Sequence, residues 1–237
     1  MGGNFVDLRK TKYIMKNYLF LLLIIPGFLF GQRNFEYKKD FEKILKETKK
    51  KDSELNYSNL LERYNKIDST LTDKQVLSML IAFTDNKYYK PYSDIDFGRN
   101  LYKLNDDDKY TEVIKSGNEF LSNHPFDIKT IIEVSYAYFK TDNKMIAKNY
   151  IKKANQIFNA MNYSGDAKSI DTPAFALNPS DGQDFIKKAL GAKIGKMGSG
   201  RDDNNYFIDM LEAKFENGDS QMLYFIIPHA TKKMFEK

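Results

Sequence analysis

The stretch Tyr206–Pro228, YFIDMLEAKFENGDSQMLYFIIP, decides the fold class. Leu211, Ala213 and Phe215 alternate with Glu212 and Lys214, the two-residue period of a strand with one face in a core. Asn217-Gly218 follows, the strongest short-range signal for a two-residue hairpin turn. Met222–Pro228, MLYFIIP, then runs back without a charge. Leu223, Phe225 and Ile227 fall on one face, and Met222, Tyr224 and Ile226 on the other. With both faces apolar, this predicts a central strand covered on both sides. Ala174–Asn178, AFALN, is a candidate third strand, and Phe185, Ile186, Ala189 and Leu190 read as a short helix stopped by Gly191.

Upstream the period changes from two to 3.6. Tyr37, Phe41, Ile44 and Leu45 recur at helical spacing, as do Tyr57, Leu60, Leu61, Tyr64 and Ile67. Thr72-x-x-Gln75 is a capping box that opens Val76–Phe83, a segment apolar enough to be buried all round. After a tyrosine-rich loop, Tyr110, Val113, Ile114, Phe120 and Leu121 form a stripe that stops before Pro125. Gly117 lies on that stripe, where the missing side chain admits another helix. The Asp106-Asp107-Asp108 run suits the start of this helix through its dipole.

The next pair is the most specific. Asp127 caps a helix carrying Ile131, Val134, Ser135 and Tyr138. A turn at Thr141-Asp142-Asn143 leads to a second, with Ala147, Tyr150, Ile151, Ala154, Ile157, Phe158 and Met161. Ile131-x₂-Val134-Ser135-x₂-Tyr138 followed by Ala147-x₃-Ile151 resembles one tetratricopeptide hairpin, with Ser135 and Ala147 small where the helices touch. The fold class is therefore α+β: antiparallel, tetratricopeptide-like helices over 32–162, then an α+β region over 163–237 with a small antiparallel sheet and a C-terminal hairpin, packed as one unit.

Residues 1–31 read as a secretory leader. Lys16 is the positive n-region, Tyr18–Phe30 is uncharged but too short to span a bilayer, and Gly31 is the small residue at the cut. Met15 sits where such a leader begins. Its removal lowers the net charge from +5 to +2, which weakens any argument for nucleic acid. The chain has no cysteine, which excludes disulfides, thiolate metal sites and an N-terminal lipidated cysteine. The expected location is periplasmic or secreted, with no membrane anchor after cleavage.

No catalytic residue, metal site or cofactor is assigned. Gly191–Gly200, GAKIGKMGSG, lacks the phosphate-loop spacing and has Met197 where Ser or Thr must follow the lysine; it reads instead as a flexible loop or bulged strand. Asp94 and Asp96 begin a calcium-like spacing that fails at Gly98 and Arg99. The two histidines, His124 and His229, form no ligand pair at metal spacing. The candidate binding residues are Tyr89 and Tyr92, beside Tyr88 and Pro91 in a loop that either lines a groove or staples itself to the core, and Gly165 and Asp166, a turn or part of a polar site.

Five segments in order, DSTLTDKQ (Asp68–Gln75), YKPY (Tyr89–Tyr92), HPFD (His124–Asp127), SGDAKSIDTPAF (Ser164–Phe175) and LYFII (Leu223–Ile227), resemble an uncharacterised family of exported proteins common in Bacteroidetes, known as a domain of unknown function. The resemblance spans about residues 38–230 and departs at the Gly- and Lys-rich Gly191–Asn204. It implies an envelope or secreted setting and no activity. The leading expectation is a non-enzymatic binding or assembly module whose partner is an envelope protein or peptide. The second is an envelope hydrolase working through carboxylates. Acids gathered in one deep pocket would favour the enzyme; an open groove lined by Tyr and Lys would favour the binder.

Overall fold

The structure, a computed structural model, describes residues 34–235, so the leader, Met15 and the Gly31 cut lie outside the described residues. Seven helices come first: α1 (Tyr37–Thr48), α2 (Tyr57–Asn65), α3 (Asp73–Phe83), α4 (Ile95–Asp106), α5 (Tyr110–Leu121), α6 (Ile128–Lys140) and α7 (Lys144–Ser164). Strand β1 (Ala174–Phe175) and helix α8 (Asp181–Asp184), continued by a π turn over Phe185–Ala189, lead to β2 (Lys193–Arg201), β3 (Phe207–Lys214) and β4 (Ser220–Ile226). Helix α9 (Pro228–Phe235) closes the described chain. The class is α+β.

The helix signals act where the sequence places them. The Thr72 hydroxyl accepts from the Gln75 N–H at 3.2 Å and the Gln75 side chain accepts from the Thr72 N–H at 3.1 Å, a complete capping box. Beyond it, Val76–Ile81 is entirely buried. The Asp127 carboxylate accepts from the Thr130 N–H at 2.8 Å and starts α6. Helices α6 and α7 then pair as a hairpin. The Ser135 hydroxyl donates to the Ala147 carbonyl at 2.8 Å, which only small residues on both sides allow. A Cβ on Gly117 would come within 2.2 Å of Val134 Cγ2, so this glycine does let α5 approach α6.

Two helical expectations are corrected. Helix α4 occupies part of what reads as a tyrosine-rich loop. Phe97, Leu101 and Leu104 hold it against α5 and α6, but Gly98 and the polar residues between them break the sequence stripe. Asp106–Asp108 therefore ends α4 rather than opening α5. Asp107 is the C-cap of α4, and Asp108 has φ 60°, reversing the chain before Lys109 caps α5.

The four-stranded sheet has the order β1-β4-β3-β2. It is mixed rather than wholly antiparallel: β1 pairs parallel with β4 through Ala174–Phe225 and Phe175–Ile226. AFALN gives only two strand residues, because Asn178 already turns toward α8, its N–H bonded to the Asp181 carboxylate at 2.9 Å. Strand β2 is the bulged alternative for Gly191–Gly200: its register with β3 shifts between Ile194 and Met197. The β3–β4 connection is tight at Asn217-Gly218 but is not a two-residue turn. The last pair is Lys214–Ser220, the Gly218 N–H bonds the Phe215 carbonyl at 3.1 Å, and of the two turn residues only Gly218 has positive φ, at 91°. Glycine here takes the left-handed position that follows a type I turn.

Strand β4 is covered unequally. Leu223, Phe225 and Ile227 are buried, and so is Ile226, but Met222 and Tyr224 are only half-buried. The cover on this second face comes from the N-terminal segment and α9, and it lies at the end of the sheet where Phe175, Ile226 and Ile208 sit side by side. There Phe175 is flanked by Phe35, Phe41 and the His229 ring, the last stacked at 4.5 Å. A single apolar cluster runs from Phe35 through α3, α7 and the sheet to Ala230. Burying it is the main stabilising term. Helix α9 opens on Pro228 at its first position, where the missing N–H costs nothing.

Candidate binding cleft

Tyr89 is 3 % exposed, and its hydroxyl donates to the Leu177 carbonyl at 2.7 Å. It is the staple of its loop rather than the wall of a groove. Tyr92 is half-buried against the main core; burial and then the nearby Asp209 carboxylate push its phenol up. Gly165 lies where a Cβ would stand 2.4 Å from the Pro173 carbonyl oxygen. The Asp166 carboxylate accepts from the Lys168 N–H at 3.0 Å and the Thr172 hydroxyl at 2.6 Å, closing the loop before β1. Gly165 and Asp166 thus both face the Thr172–Pro173 segment, while Tyr89 is bonded to Leu177. His229 is a buried core residue. Its Nε2 faces the Ala176 carbonyl at 2.9 Å, its Nδ1 has no hydrogen-bond partner among the described residues, and burial holds the ring neutral by pushing it down to about 3.

Acids far apart in sequence do gather, but in the interior. Asp94 at the start of α4 meets His124 Nε2 at 3.5 Å, while His124 Nδ1 lies 3.1 Å from the Phe120 carbonyl. Asp127, Asp181 and Asp184 are all raised, burial being the leading cause; Asp184 is pushed up to about 6. Lys129 lies among them. Its ammonium is 2.9 Å from the Glu133 carboxylate, whose other oxygen accepts from the Asn105 amide at 2.8 Å. Burial pulls Lys129 down, but Glu133 and Asp184 reverse that, and its net shift is upward. Asp127 and Asp181 are turned to backbone N–H groups, and Glu133 to Lys129. Among the described residues no three such side chains converge to hold a metal ion.

A concave site lies elsewhere, between the C-terminal ends of α2 and α5 and the middle of α7. It is a cleft of about 170 Å³ lined by Asn65, Asn118, Leu121, Ser122, Pro125, Ile131, Tyr150 and Lys153. Each wall follows from local structure. Pro125 ends the α5 connection, and Tyr150 and Lys153 are one turn apart on α7, so both face the same way. Asn118 fixes the tyrosine: its amide donates to Tyr138 at 2.9 Å and its carbonyl oxygen accepts from Tyr150 at 2.5 Å, with the two phenol rings stacked at 5.7 Å. The Lys153 ammonium lies 5.2 Å from the Tyr64 ring centre and 6.0 Å from that of Tyr150. Among the described residues its one hydrogen-bond acceptor is Asn65 Oδ1 at a long 3.5 Å. Among the described residues no carboxylate pairs with it, and burial pushes it below the usual lysine range.

Residues 42–235 match the family model described as Domain of unknown function (DUF4919). The chain belongs to this family. Comparison with curated proteins and with solved structures returned no match. Sequence reasoning missed Lys153 and Asn118 and placed Tyr150 in the core stripe. The available signal was the i, i+3 pairing of Tyr150 with Lys153 on the apolar side of α7.

Proposed function

We propose that the protein is a non-enzymatic binding or assembly module of the cell envelope, exported by its leader and acting on an envelope protein or peptide. One observation carries this reading. A cleft among the described residues is lined by a tyrosine, a lysine, two asparagines, a serine and apolar side chains, whereas the gathered carboxylates are buried and tied to Lys129 and to backbone N–H groups. A hydrolase working through two acids needs both to reach the same substrate bond; here the acids line the interior and not the cleft. The resemblance of α6–α7 to a tetratricopeptide hairpin supports the same reading, because stacked helical hairpins present concave partner surfaces. The charge-free run with its lysine and Gly31, and the absence of cysteine, support export without a lipid anchor.

The test is site-specific photo-crosslinking from the exposed rim position Ser122 in envelope extract, read by mass spectrometry. A discrete adduct with one envelope protein or peptide, lost when Tyr150 and Lys153 are both changed to alanine, is the expected result. Turnover of an envelope polymer that survives those changes but stops with Asp184→Asn would replace the binder with the hydrolase.

A further inference from the structure

Lys153 presents three N–H donors on a partly desolvated ammonium and has one long amide contact. The faces of Tyr64 and Tyr150 offset some of the lost hydration. They do not supply a negative charge, and no carboxylate of the described chain does so either. The cleft is also small: about 170 Å³, below the roughly 300–1,000 Å³ of a small-molecule pocket. It takes one side chain or one chain end. Leu121, Pro125 and Ile131 give it an apolar wall beside the cation, which suits a short methylene stem ending in an anion. A doubly charged phosphate would exceed the single cation present, and no arginine lines the cleft to bind it as a fork.

Resting on the binding reading of this cleft, we infer that it is a subsite for one carboxylate of a peptide ligand, with Lys153 as counter-ion and Asn118 as the positioning residue that locks Tyr150. The carboxylate comes from an acidic side chain or from a free C-terminus, and the two are separable.

The experiment uses fluorescence anisotropy on the purified full chain with three labelled peptides sharing an uncharged body. One carries a single glutamate and an amidated end, one a free C-terminus and no acid, and one neither. The expected result is at least tenfold tighter binding of one charged peptide than of the neutral one. The preferred peptide identifies the source. Lys153→Met, which keeps the apolar stem, removes the difference at an unchanged melting midpoint. Lys153→Arg retains part of it, and inorganic phosphate competes no better than acetate. Equal binding of all three peptides, binding of none, stronger competition by phosphate, or a charge preference that survives Lys153→Met would overturn the assignment. The Ser122 adduct reports on the binding reading separately, since it requires a partner in the cleft but no particular charge.

Discussion

Two lysines, Lys129 on α6 and Lys153 on α7, leave the same helical hairpin in different directions and meet opposite environments. Lys129 points inward, with its side chain 23 % exposed. It finds Glu133, itself 3 % exposed, at 2.9 Å, and the Asp184 charge beyond. Lys153 points into an open cleft and finds two aromatic rings and an amide oxygen. One ammonium is raised by its neighbours and the other lowered by burial. A desolvated cation that the fold neutralises has become part of the structure. One that the fold leaves unmatched has a charge available for something else.

The largest effect should come from breaking the matched side. Lys129→Met strands the buried Glu133 carboxylate and removes the cation that acts most strongly on Asp184, so urea unfolding should show a loss of about 3–5 kcal/mol. A loss below 1 kcal/mol would mean water already reaches that cluster.

The next effect is a pH dependence from the same cluster. Burial pushes Asp184 up to about 6, against the pull of Lys129, Lys188 and Lys187 and with the push of Asp127. The native state therefore holds a proton that the unfolded chain releases from about pH 4 upward. Stability from this group is present at the lower pH and lost as pH rises through about 6, up to roughly 2–3 kcal/mol. His229, pushed down to about 3, acts the other way: its contribution is lost as pH falls below about 6.5. The difference between wild type and Asp184→Asn isolates the aspartate. Unfolding free energies compared at pH 4 and pH 7 should move in favour of the variant as pH rises.

Ala147→Leu tests the frame that holds the two lysines apart. It overpacks the Ser135 contact and should cost about 1–3 kcal/mol, seen as a lower melting midpoint. An unchanged midpoint would mean that α6 and α7 tolerate a wider spacing than the 2.8 Å hydrogen bond implies.

That frame was legible in the sequence because local chemistry wrote it. Asp127 as cap, Gly117 as the close approach, and Ser135 and Ala147 as the small pair are each one residue type with one physical reason. The β3–β4 hairpin was legible in place but not in turn type, since Asn-Gly serves both a two-residue turn and the left-handed position after a type I turn. Strand β1 was not legible as parallel; its two residues carry no period. The open Met222–Tyr224 face was hidden because Ile226, on the same face, is buried by α9 and the N-terminal segment, which the strand's own pattern does not report. The candidate site was least legible. Asp94, Asp127, Asp181 and Asp184 meet only in space. Lys153 looks like any lysine of a helix until the absence of a nearby carboxylate is seen.

Removing the unmatched charge should have the smallest effect on stability. Lys153→Met should stay within about 0.5 kcal/mol of wild type, because no ion pair is broken and the apolar stem is kept. The contrast with Lys129→Met is then the quantity of interest. Lysine side-chain NMR titration of the free protein, with Lys129 and Lys153 assigned by substitution, tests that contrast most directly. Lys129 should lose its proton above the ordinary lysine range and Lys153 below it, with Lys153 moving back upward when a carboxylate-bearing peptide saturates the cleft. A Lys153 that titrates at or above the ordinary value in the free protein would contradict the account, because its charge would already be matched within the fold.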